Sequence, residues 1–569
     1  MRPLRRLAKR SLSCAFSSSK CMWSRDVEKA PQTLVPVLLL GSFLLVLFLA
    51  NDPFESDESI YVYAGYAISR GLIPYREIAL AHPPVVYLLI SFSVTAFGSN
   101  LLSLRVLRAV FMVLSLTILY LVVRSSSVQG SKVACLSLAL FSFFLYPMYQ
   151  RLALLEIVLT STSLSCVLVY LKARSDTSHW RRTSLFLLLG LAASISFLTK
   201  YPALLVASTL FVWHVVSGFL LRRGGRHITD VSLSMLGFTV PTACFSLWLT
   251  LEDAVRTFYA QTIYWQMVRY AVSNGIAALA WYCLLLLPLL AVTPVVILTS
   301  AKDGNRDVFL FLLLFIVPLI SMTAFLQTFW FHYTFYLGPY LAILGSLGWI
   351  RSWRSLGVRR LVSRTFRTSS GGRRLLASSV ACCALFFPTV AASTQQFMRS
   401  SGSEIEVIPR PLPREELIQD VAGLARLSTD YEDRVWTSEA AIAFLADRLI
   451  TPPNSSDWPV QGFFDDLLAH SFGGYRGDGM RDYKLGAVSP RLFIEAWESE
   501  RTKVLVFILG AGPIPYPDEL LWHGYGNAQG VREYVESKYL LKETVCIPQT
   551  DSAYVYHVWV RRGDDSGRV

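Results

Sequence analysis

Long apolar runs separated by short polar segments dominate the first two thirds of the chain. A helix needs about 20 apolar residues to cross the hydrocarbon core of a bilayer. Eleven segments approach that length and are predicted to be transmembrane helices: 32–50, 105–123, 133–149, 152–171, 184–199, 201–221, 231–250, 275–300, 307–327, 328–350 and 375–393. The first of them is longer than the apolar region of a usual signal peptide, so we predict that it is a retained span.

The composition is that of a polytopic membrane protein. Of the 569 residues, 53% are hydrophobic and only 16% are charged, whereas soluble domains carry roughly 25% charged residues. Disorder is excluded as well, because disordered chains have low hydrophobicity. The formal net charge of +13 would suit nucleic acid, but the basic residues stand between the apolar runs, which is the pattern of membrane topology. We therefore expect membrane lipid, and no nucleic acid, as a partner.

The basic residues also decide how a twelfth apolar segment, 83–98, is interpreted. If it does not cross, the N-terminus is cytoplasmic, and the cytoplasmic segments carry 27 Lys and Arg against 6 in the outer loops that connect the spans. If it crossed, the Arg-rich segment 351–374 would face outward, against the positive-inside rule. We therefore predict that 83–98 is a juxtamembrane helix at the outer interface.

This topology divides the chain into three parts. Residues 1–31 form a basic cytoplasmic tail, and 32–393 form the transmembrane domain, with a long outer loop at 51–104. The polar residues 394–569 are predicted to be extracytoplasmic, and they are numerous enough for one domain. This part contains predicted strands and helices in alternation, which favours an α/β domain: strands at Val435–Thr437, Lys503–Leu509 and Tyr554–Val560, and helices at 438–448 and Val531–Tyr539.

The densest polar group near the outer face follows the first span. It is Glu55-Ser56-Asp57-Glu58, and the residues from Ile60 to Tyr75 carry tyrosines at the spacing of an interfacial helix. A solvated acidic loop beside an aromatic belt would explain this pattern about as well as a functional site, because carboxylates often flank a span.

Further ionisable residues lie near the outer ends of later spans. Glu156 is inside its span, where an ionisable group is costly and is a functional candidate. The others are Lys200, followed by Tyr201, then Arg269 in the outer loop 251–274, and His332 with Tyr333. Lys200 and Arg269 have a second interpretation, in which they extend to lipid headgroups. His332 is equally consistent with a satisfied buried imidazole. Neither Lys200 nor Arg269 has an acidic partner in its local sequence, although Glu156 could supply one in space.

In the predicted topology all of these groups lie at one interface. Carboxylates suit proton abstraction from an acceptor, while Lys and Arg suit a phosphate. A phosphate held at a lipid interface indicates a lipid-phosphate substrate. No C-x-x-C or His-x-x-x-His pattern supports a metal site, and no cofactor is expected, although the sequence does not exclude dependence on a divalent metal.

The outer loop resembles the first-loop signature of the C-type (GT-C) glycosyltransferases. The similarity is greatest to the group of protein O-mannosyltransferases and lipid A aminoarabinose transferases. Three elements carry this similarity. The first is Asp-Glu at the start of a Tyr-rich helix, here Asp57–Tyr61. The others are a Gly-x-x-Pro-Tyr-Arg-acid element, here Gly71–Glu77, and a Lys/His-Pro-Pro element, here His82–Pro84. Further similarities are found at Arg151–Glu156 and Leu198–Pro202 and, more weakly, at Trp265–Arg269 and His332–Pro339.

The resemblance implies a membrane glycosyltransferase with a polyprenyl- or dolichyl-phosphate sugar donor. It implies that Asp57 is the catalytic carboxylate. We also assign Glu58, the next residue, to the catalytic site, where it orders Asp57 or the helix, and a purely structural role explains it equally well. The resemblance also implies that Lys200 and Arg269 contact the donor phosphate. His82 stands where many members have Lys, and Tyr201 where Gly is frequent, which alters one phosphate contact and the lipid entry. Transfer of a hexosyl or pentosyl group to a protein, glycan or lipid acceptor would follow.

The sequence is also consistent with two other functions. A lipid-linked sugar flippase or transporter would need no transfer chemistry, but transporters usually show mid-membrane charges and two similar halves. The second is a scaffold, which keeps the fold, has no transferase activity and binds a partner through residues 394–569.

Overall fold

A computed structural model provides the architecture of the chain. It describes Thr293, Val296 and the following ranges: 35–44, 56–78, 80–128, 131–142, 154–220, 224–264, 305–325, 333–355, 414–430, 432–437, 440–450, 497–498, 501–512, 529–547 and 553–562. The first two thirds of the described chain are helical, and the last third contains a β-sheet.

The helices of the first part follow the apolar runs closely. They are α1 (Val35–Leu44), α2 (Ser56–Ser69), α3 (Val85–Phe97), α4 (Leu101–Ser125), α5 (Ser131–Leu140), α6 (Leu154–Ser175), α7 (His179–Phe197), α8 (Ala203–Leu220), α9 (Gly224–Leu251), α10 (Val255–Tyr259), α11 (Arg306–Phe325) and α12 (Tyr333–Ser355). A π-helical turn, Ala260–Tyr264, continues α10. Nine of the eleven predicted spans overlap one of these helices. The other two, 275–300 and 375–393, lie outside the described residues except for Thr293 and Val296.

Three stretches within the described helices are individually long and apolar enough to cross a membrane: Leu102–Ser125, Leu155–Ser175 and His227–Leu251. The short helix α3 differs from them. Its 13 residues extend about 20 Å at 1.5 Å per residue, less than the ~30 Å thickness of the hydrocarbon core. It buries Val86 and Ile90 while Phe92 remains 70% exposed. The placement of α3 at the outer interface stays a prediction.

Helices α7 and α9 pack with their backbones in contact. A Cβ atom added to Gly190 of α7 would lie 1.9 Å from the carbonyl oxygen of Ser234 on α9, and one added to Gly237 of α9 would lie 2.2 Å from the oxygen of Leu187. Small residues at such a crossing allow membrane helices to approach closely. This contact fixes the position of α7, whose end leads into the Lys200 turn.

We expect Gly190→Ala to destabilise the bundle by about 1–3 kcal/mol, because the added methyl group must push α7 and α9 apart. Thermal unfolding of the detergent-solubilised protein measures the effect. Gly41→Ala in α1 is the matched control, since a Cβ atom there meets nothing within 4 Å. Equal melting temperatures for the two variants would contradict the close α7–α9 contact.

The last third of the chain forms a five-stranded mixed sheet. Its elements are α13 (Arg414–Leu427), β1 (Arg434–Thr437), α14 (Ala440–Ala446), β2 (Leu449–Ile450), β3 (Val504–Gly512), α15 (Gln529–Lys538), β4 (Tyr539–Ile547) and β5 (Ala553–Arg561). The strand order is β2-β1-β3-β5-β4. Strand β1 runs parallel to β2 and β3, while β5 is antiparallel to β3 and β4. Strands occupy all three segments predicted as strands; α13, β2 and β4 were not predicted.

One hydrophobic core joins this sheet to helices α2 and α3. It contains Tyr63 of α2 and Val86 of α3 together with Val421, Ile442 and Val504 of the C-terminal part. Most of the remaining bundle, from α4 to α12, has a second core of its own. The sheet therefore packs at the end of the bundle where α2 lies.

Polar contacts reinforce the junction between α2 and the C-terminal part. The Arg70 guanidinium lies 3.8 Å from Oδ1 of Asp447 and donates a 3.1 Å hydrogen bond to the Tyr66 hydroxyl. The Ser99 hydroxyl donates to the same carboxylate at 3.1 Å. Burial and the nearby Asp447 carboxylate raise the pKa of Tyr66 above its ordinary range, so Tyr66 stays neutral. These contacts anchor the C-terminal end of α2, whereas the candidate carboxylates are at its N-terminal end.

Candidate active site

Helix α2 carries the two candidate carboxylates at its start. Asp57 and Glu58 are its second and third residues, and the described side chains of this helix begin at Tyr61. Tyr61 is four residues, about one helical turn, after Asp57 in the sequence of α2. The helix sits close to α3, because a Cβ atom on Gly65 would lie 2.4 Å from Cγ2 of Ile90.

His82 lies beside Tyr61 of α2. Its Nε2 atom is 3.1 Å from the Tyr61 hydroxyl, and the two ring centroids are 5.6 Å apart. The Tyr75 hydroxyl donates a 3.0 Å hydrogen bond to the His82 carbonyl, which fixes the backbone at this point. The structure therefore places His82 beside Tyr61, one helical turn along the chain from Asp57.

Hydrogen bonds within the loop between α2 and His82, and from this loop to Gln261, pair several of its backbone polar groups. Tyr75 is fully buried in the left-handed region, with φ +66°. Its N–H donates to the carbonyl of Ile78 at 2.9 Å. Gln261 of the π-helical turn donates to the Tyr75 carbonyl at 3.1 Å and accepts from the Leu80 N–H at 2.9 Å. Burial raises the pKa of Tyr75 well above its ordinary value, so its hydroxyl acts as a neutral donor.

Lys200 lies in the turn between α7 and α8 and forms a buried ion pair. Its Nζ atom is 2.6 Å from Oε1 of Glu156 on α6, and the two side chains are only 5% and 4% exposed. No acidic residue lies near Lys200 in the sequence, and Glu156 precedes it by 44 residues. A lysine this buried does not extend to lipid headgroups, so the snorkelling interpretation is wrong for Lys200.

Backbone contacts bring the Lys200 turn and the His82 segment together. The Val85 N–H donates to the carbonyl of Leu198 at 3.1 Å. The Tyr201 hydroxyl donates to the Thr262 hydroxyl at 2.7 Å. Thr262 directly follows Gln261, whose amide donates to the Tyr75 carbonyl. The Tyr336 hydroxyl donates to the Pro202 carbonyl at 2.7 Å, which places the start of α12 at the same turn.

One end of the bundle thus gathers most of the predicted site. It holds the start of α2 with Asp57 and Glu58, and also His82, Glu156, Lys200, Tyr201 and the start of α12, where Tyr333 is the first residue. Arg269 and His332 lie outside the described residues. The arrangement places a carboxylate-bearing helix start, an imidazole and a buried ammonium at neighbouring turns, a combination suited to proton transfer and phosphate recognition.

Sequence reasoning missed two buried cations on α4. Arg105 and Arg108 are 1% and 4% exposed, and their spacing puts them on one face within the first two turns of the helix. The Nε atom of Arg108 has no hydrogen-bond partner in the described part of the chain. The signal that identified Glu156, an ionisable residue inside an apolar run, would also have identified both arginines.

The comparisons with known proteins agree with this architecture. Residues 81–250 match the family model of dolichyl-phosphate-mannose-protein mannosyltransferases. No curated protein sequence matches the chain significantly. Among solved structures, ArnT from Cupriavidus metallidurans bound to undecaprenyl phosphate is similar over 94% of this chain and 98% of that one, with a TM-score of 0.58 and 14% identity. The chain has a GT-C fold.

The GT-C resemblance inferred from the first-loop residues is thereby confirmed. The apo oligosaccharyltransferase of Archaeoglobus fulgidus is a more distant GT-C match, with a TM-score of 0.45, 12% identity, and coverage of 83% of this chain and 69% of that one. The apolar helices and the GT-C fold make the chain an integral membrane protein. The family match begins one residue before His82 and includes Glu156, Lys200 and Tyr201.

Proposed function

We propose that the protein is a membrane glycosyltransferase that takes a sugar from a polyprenyl- or dolichyl-phosphate donor and transfers it to a protein, glycan or lipid acceptor. The observation that carries the proposal is the convergence of the Asp57 helix, His82 and the Lys200–Glu156 pair at one end of a GT-C bundle. The structural relative was solved with undecaprenyl phosphate, a lipid phosphate of the proposed donor class.

The proposed chemistry is a single displacement with inversion at the anomeric carbon. The acceptor oxygen attacks that carbon while the bond from carbon to the phosphate oxygen breaks, and its electron pair leaves with the lipid phosphate. Asp57 takes the acceptor proton as general base. Glu58, its neighbour in the first turn of α2, orders Asp57 or the helix start.

The leaving phosphate gains negative charge as the bond breaks, so cations fixed beside it stabilise the transition state more than the ground state. In this proposal Lys200, Arg269 and His82 supply those contacts. Glu156 holds the Lys200 ammonium in one position within the protein, which preorganises it but also offsets its charge. Tyr201, His332 and Tyr333 complete the cavity wall.

We further propose that the site and residues 394–569 face the outside of the cell membrane. The excess of Lys and Arg in the segments on the opposite side, 27 against 6 in the outer loops that connect the spans, supports this orientation. The core shared by α2 and the C-terminal sheet supports placing both on one side, because the sheet cannot leave α2 without exposing that core. In this position the C-terminal part would influence acceptor choice.

Cleavage of the donor in detergent micelles tests the proposal against a flippase. Flipping changes only the side of the membrane on which a lipid lies, so without a membrane it leaves the donor unaltered. We expect the purified full-length chain to release free lipid phosphate from a polyprenyl-phosphate sugar when an acceptor extract is added, as measured by mass spectrometry. Movement of the donor across vesicle membranes without any cleavage in micelles would overturn the transferase proposal in favour of the carrier.

A further inference from the structure

A second polar cluster lies at the opposite end of helices α7, α8 and α9. His214 belongs to the last two turns of α8, while His227 and Asp230 belong to the first two turns of α9. Arg182, at the start of α7, contacts Asp230. Eighteen residues along the chain separate Arg182 from Lys200, which corresponds to about 25 Å of helix, so the cluster is separate from the candidate active site.

Three potential metal ligands converge in this cluster. The Nε2 atom of His214 is 3.2 Å from Oδ2 of Asp230 and 3.0 Å from Nδ1 of His227. All three ligand atoms lie within 4.8 Å of one another. In a tetrahedral zinc site with bonds of 2.0–2.1 Å, ligand atoms are about 3.3 Å apart. The two measured contacts are therefore close to the spacing that a shared Zn²⁺ ion requires.

Protons alone do not give His214 Nε2 a linear hydrogen bond to both neighbours. A ring nitrogen carries either one proton or one lone pair. If Nε2 donates to Asp230, it has no lone pair for a proton from His227. If it accepts from His227, its lone pair faces the lone pairs of the Asp230 oxygen. A divalent cation between the three atoms uses every lone pair at once.

The surroundings hold the three ligands in place. His214 and Asp230 are buried, and His227 is half-buried at the rim. The ring of His214 packs edge-on against Tyr170, with centroids 5.8 Å apart. A Cβ atom on Gly218 would lie 2.4 Å from the ring of His227, so the missing side chain makes room for that imidazole.

Arg182 donates a hydrogen bond to the Asp230 carboxylate, and carboxylates that bind a metal ion usually accept such a bond from a neighbouring side chain. Its Nε atom donates to Oδ1 of Asp230 at 3.2 Å, which leaves Oδ2 turned to the histidines. Its Nη2 atom also contacts Oδ2, and a metal ion would replace that contact while the Nε bond remains. Hydrogen-bonded carboxylate ligands of this kind are the rule around metal sites.

We propose that His214, His227 and Asp230 bind a Zn²⁺ ion, with the fourth position open to water at the rim. Two imidazoles and one carboxylate are suitable ligands for zinc. The ion would tie α8 to α9 at this end of the bundle. At their other ends, α8 follows the Lys200 turn, and α9 precedes Glu252, which binds Arg76 of the Tyr75 loop at 3.3 Å. The metal would therefore stabilise the helices that position the candidate active site.

Zinc binding by the full chain tests the proposal directly. The protein is purified in detergent through an affinity tag that contains no histidine, stripped with a chelator, reloaded with Zn²⁺ and dialysed to remove unbound metal. We expect one tightly bound zinc per chain by elemental mass spectrometry. We also expect a loss of at least about 100-fold in affinity for His214→Ala and His227→Gln, measured by competition with a chromogenic chelator. Zinc should raise the melting temperature of the wild type and leave that of these variants unchanged.

His179→Ala is the matched control, because His179 is an exposed histidine at the same end of α7, and it should bind zinc like the wild type. Gly218→Ala should weaken binding without removing a ligand, because it displaces the His227 ring. If His214→Ala fails to fold, His227→Gln at the rim decides the question. Absence of bound zinc in the wild type, or unchanged affinity in His227→Gln, would overturn the proposal. None of these measurements depends on sugar transfer.

Discussion

Asp57→Asn should lower the rate of sugar transfer by about 10²–10⁴-fold, the usual contribution of a general base, while membrane insertion and melting temperature stay unchanged. Asparagine keeps the size of the side chain but cannot accept the acceptor proton. The position supports this role, since Asp57 lies in the first turn of α2, one turn before the tyrosine that contacts His82. The readout is turnover of a polyprenyl-phosphate sugar by the purified variant under saturating donor.

Asp253→Asn is the matched control for this experiment. Asp253 is an exposed carboxylate in the turn after α9, next to the glutamate that binds Arg76. Its φ of +52° suits asparagine as well as aspartate, so the change removes a charge near the site without backbone strain. Glu58→Gln should retain a larger share of activity than Asp57→Asn. Near wild-type turnover in Asp57→Asn, or a greater loss in Glu58→Gln, would exclude Asp57 as the base.

The helical part of the fold could be predicted because an apolar run long enough to cross a bilayer has few alternatives to a helix. The described helices accordingly follow the predicted spans, including the separation of α7 from α8 at Lys200. The C-terminal sheet was harder to predict from the sequence. Its strands β1, β3 and β5 have recognisable patterns, whereas β4 directly follows α15 at Tyr539 with no turn residue between them.

The sequence nominates the residues of the candidate site, but it does not predict the contacts among them. Topology places Glu156 and Lys200 at the same interface, yet only the packing of α6 against α7 brings them within 2.6 Å. The cluster of His214, His227 and Asp230 shows the same limit. The two histidines are 13 residues apart on two helices, so no spacing rule identifies them. Contacts between helices depend on crossing geometry, which the periodicity of a single helix does not contain.

The Lys200–Glu156 pair leads to the second prediction, in which stability and activity respond differently. Lys200→Met leaves the Glu156 carboxylate buried without its ammonium partner, and breaking a buried pair in this way costs about 3–5 kcal/mol. The variant should therefore unfold at a lower temperature and lose transfer activity. Activity alone would not reveal whether Lys200 acts on the donor phosphate or only on Glu156.

The double variant Lys200→Met/Glu156→Gln separates the two roles. Replacing both partners removes the uncompensated charge, so most of the lost stability should return. Activity should not return, because the leaving phosphate still lacks its cation; removal of one such stabilising contact costs about 10²–10³-fold. Thermal unfolding and donor titration of the wild type, the two single variants and the double variant complete the cycle. Recovery of both stability and turnover would show that Lys200 serves only to neutralise Glu156, and would leave donor phosphate recognition to Arg269 and His82.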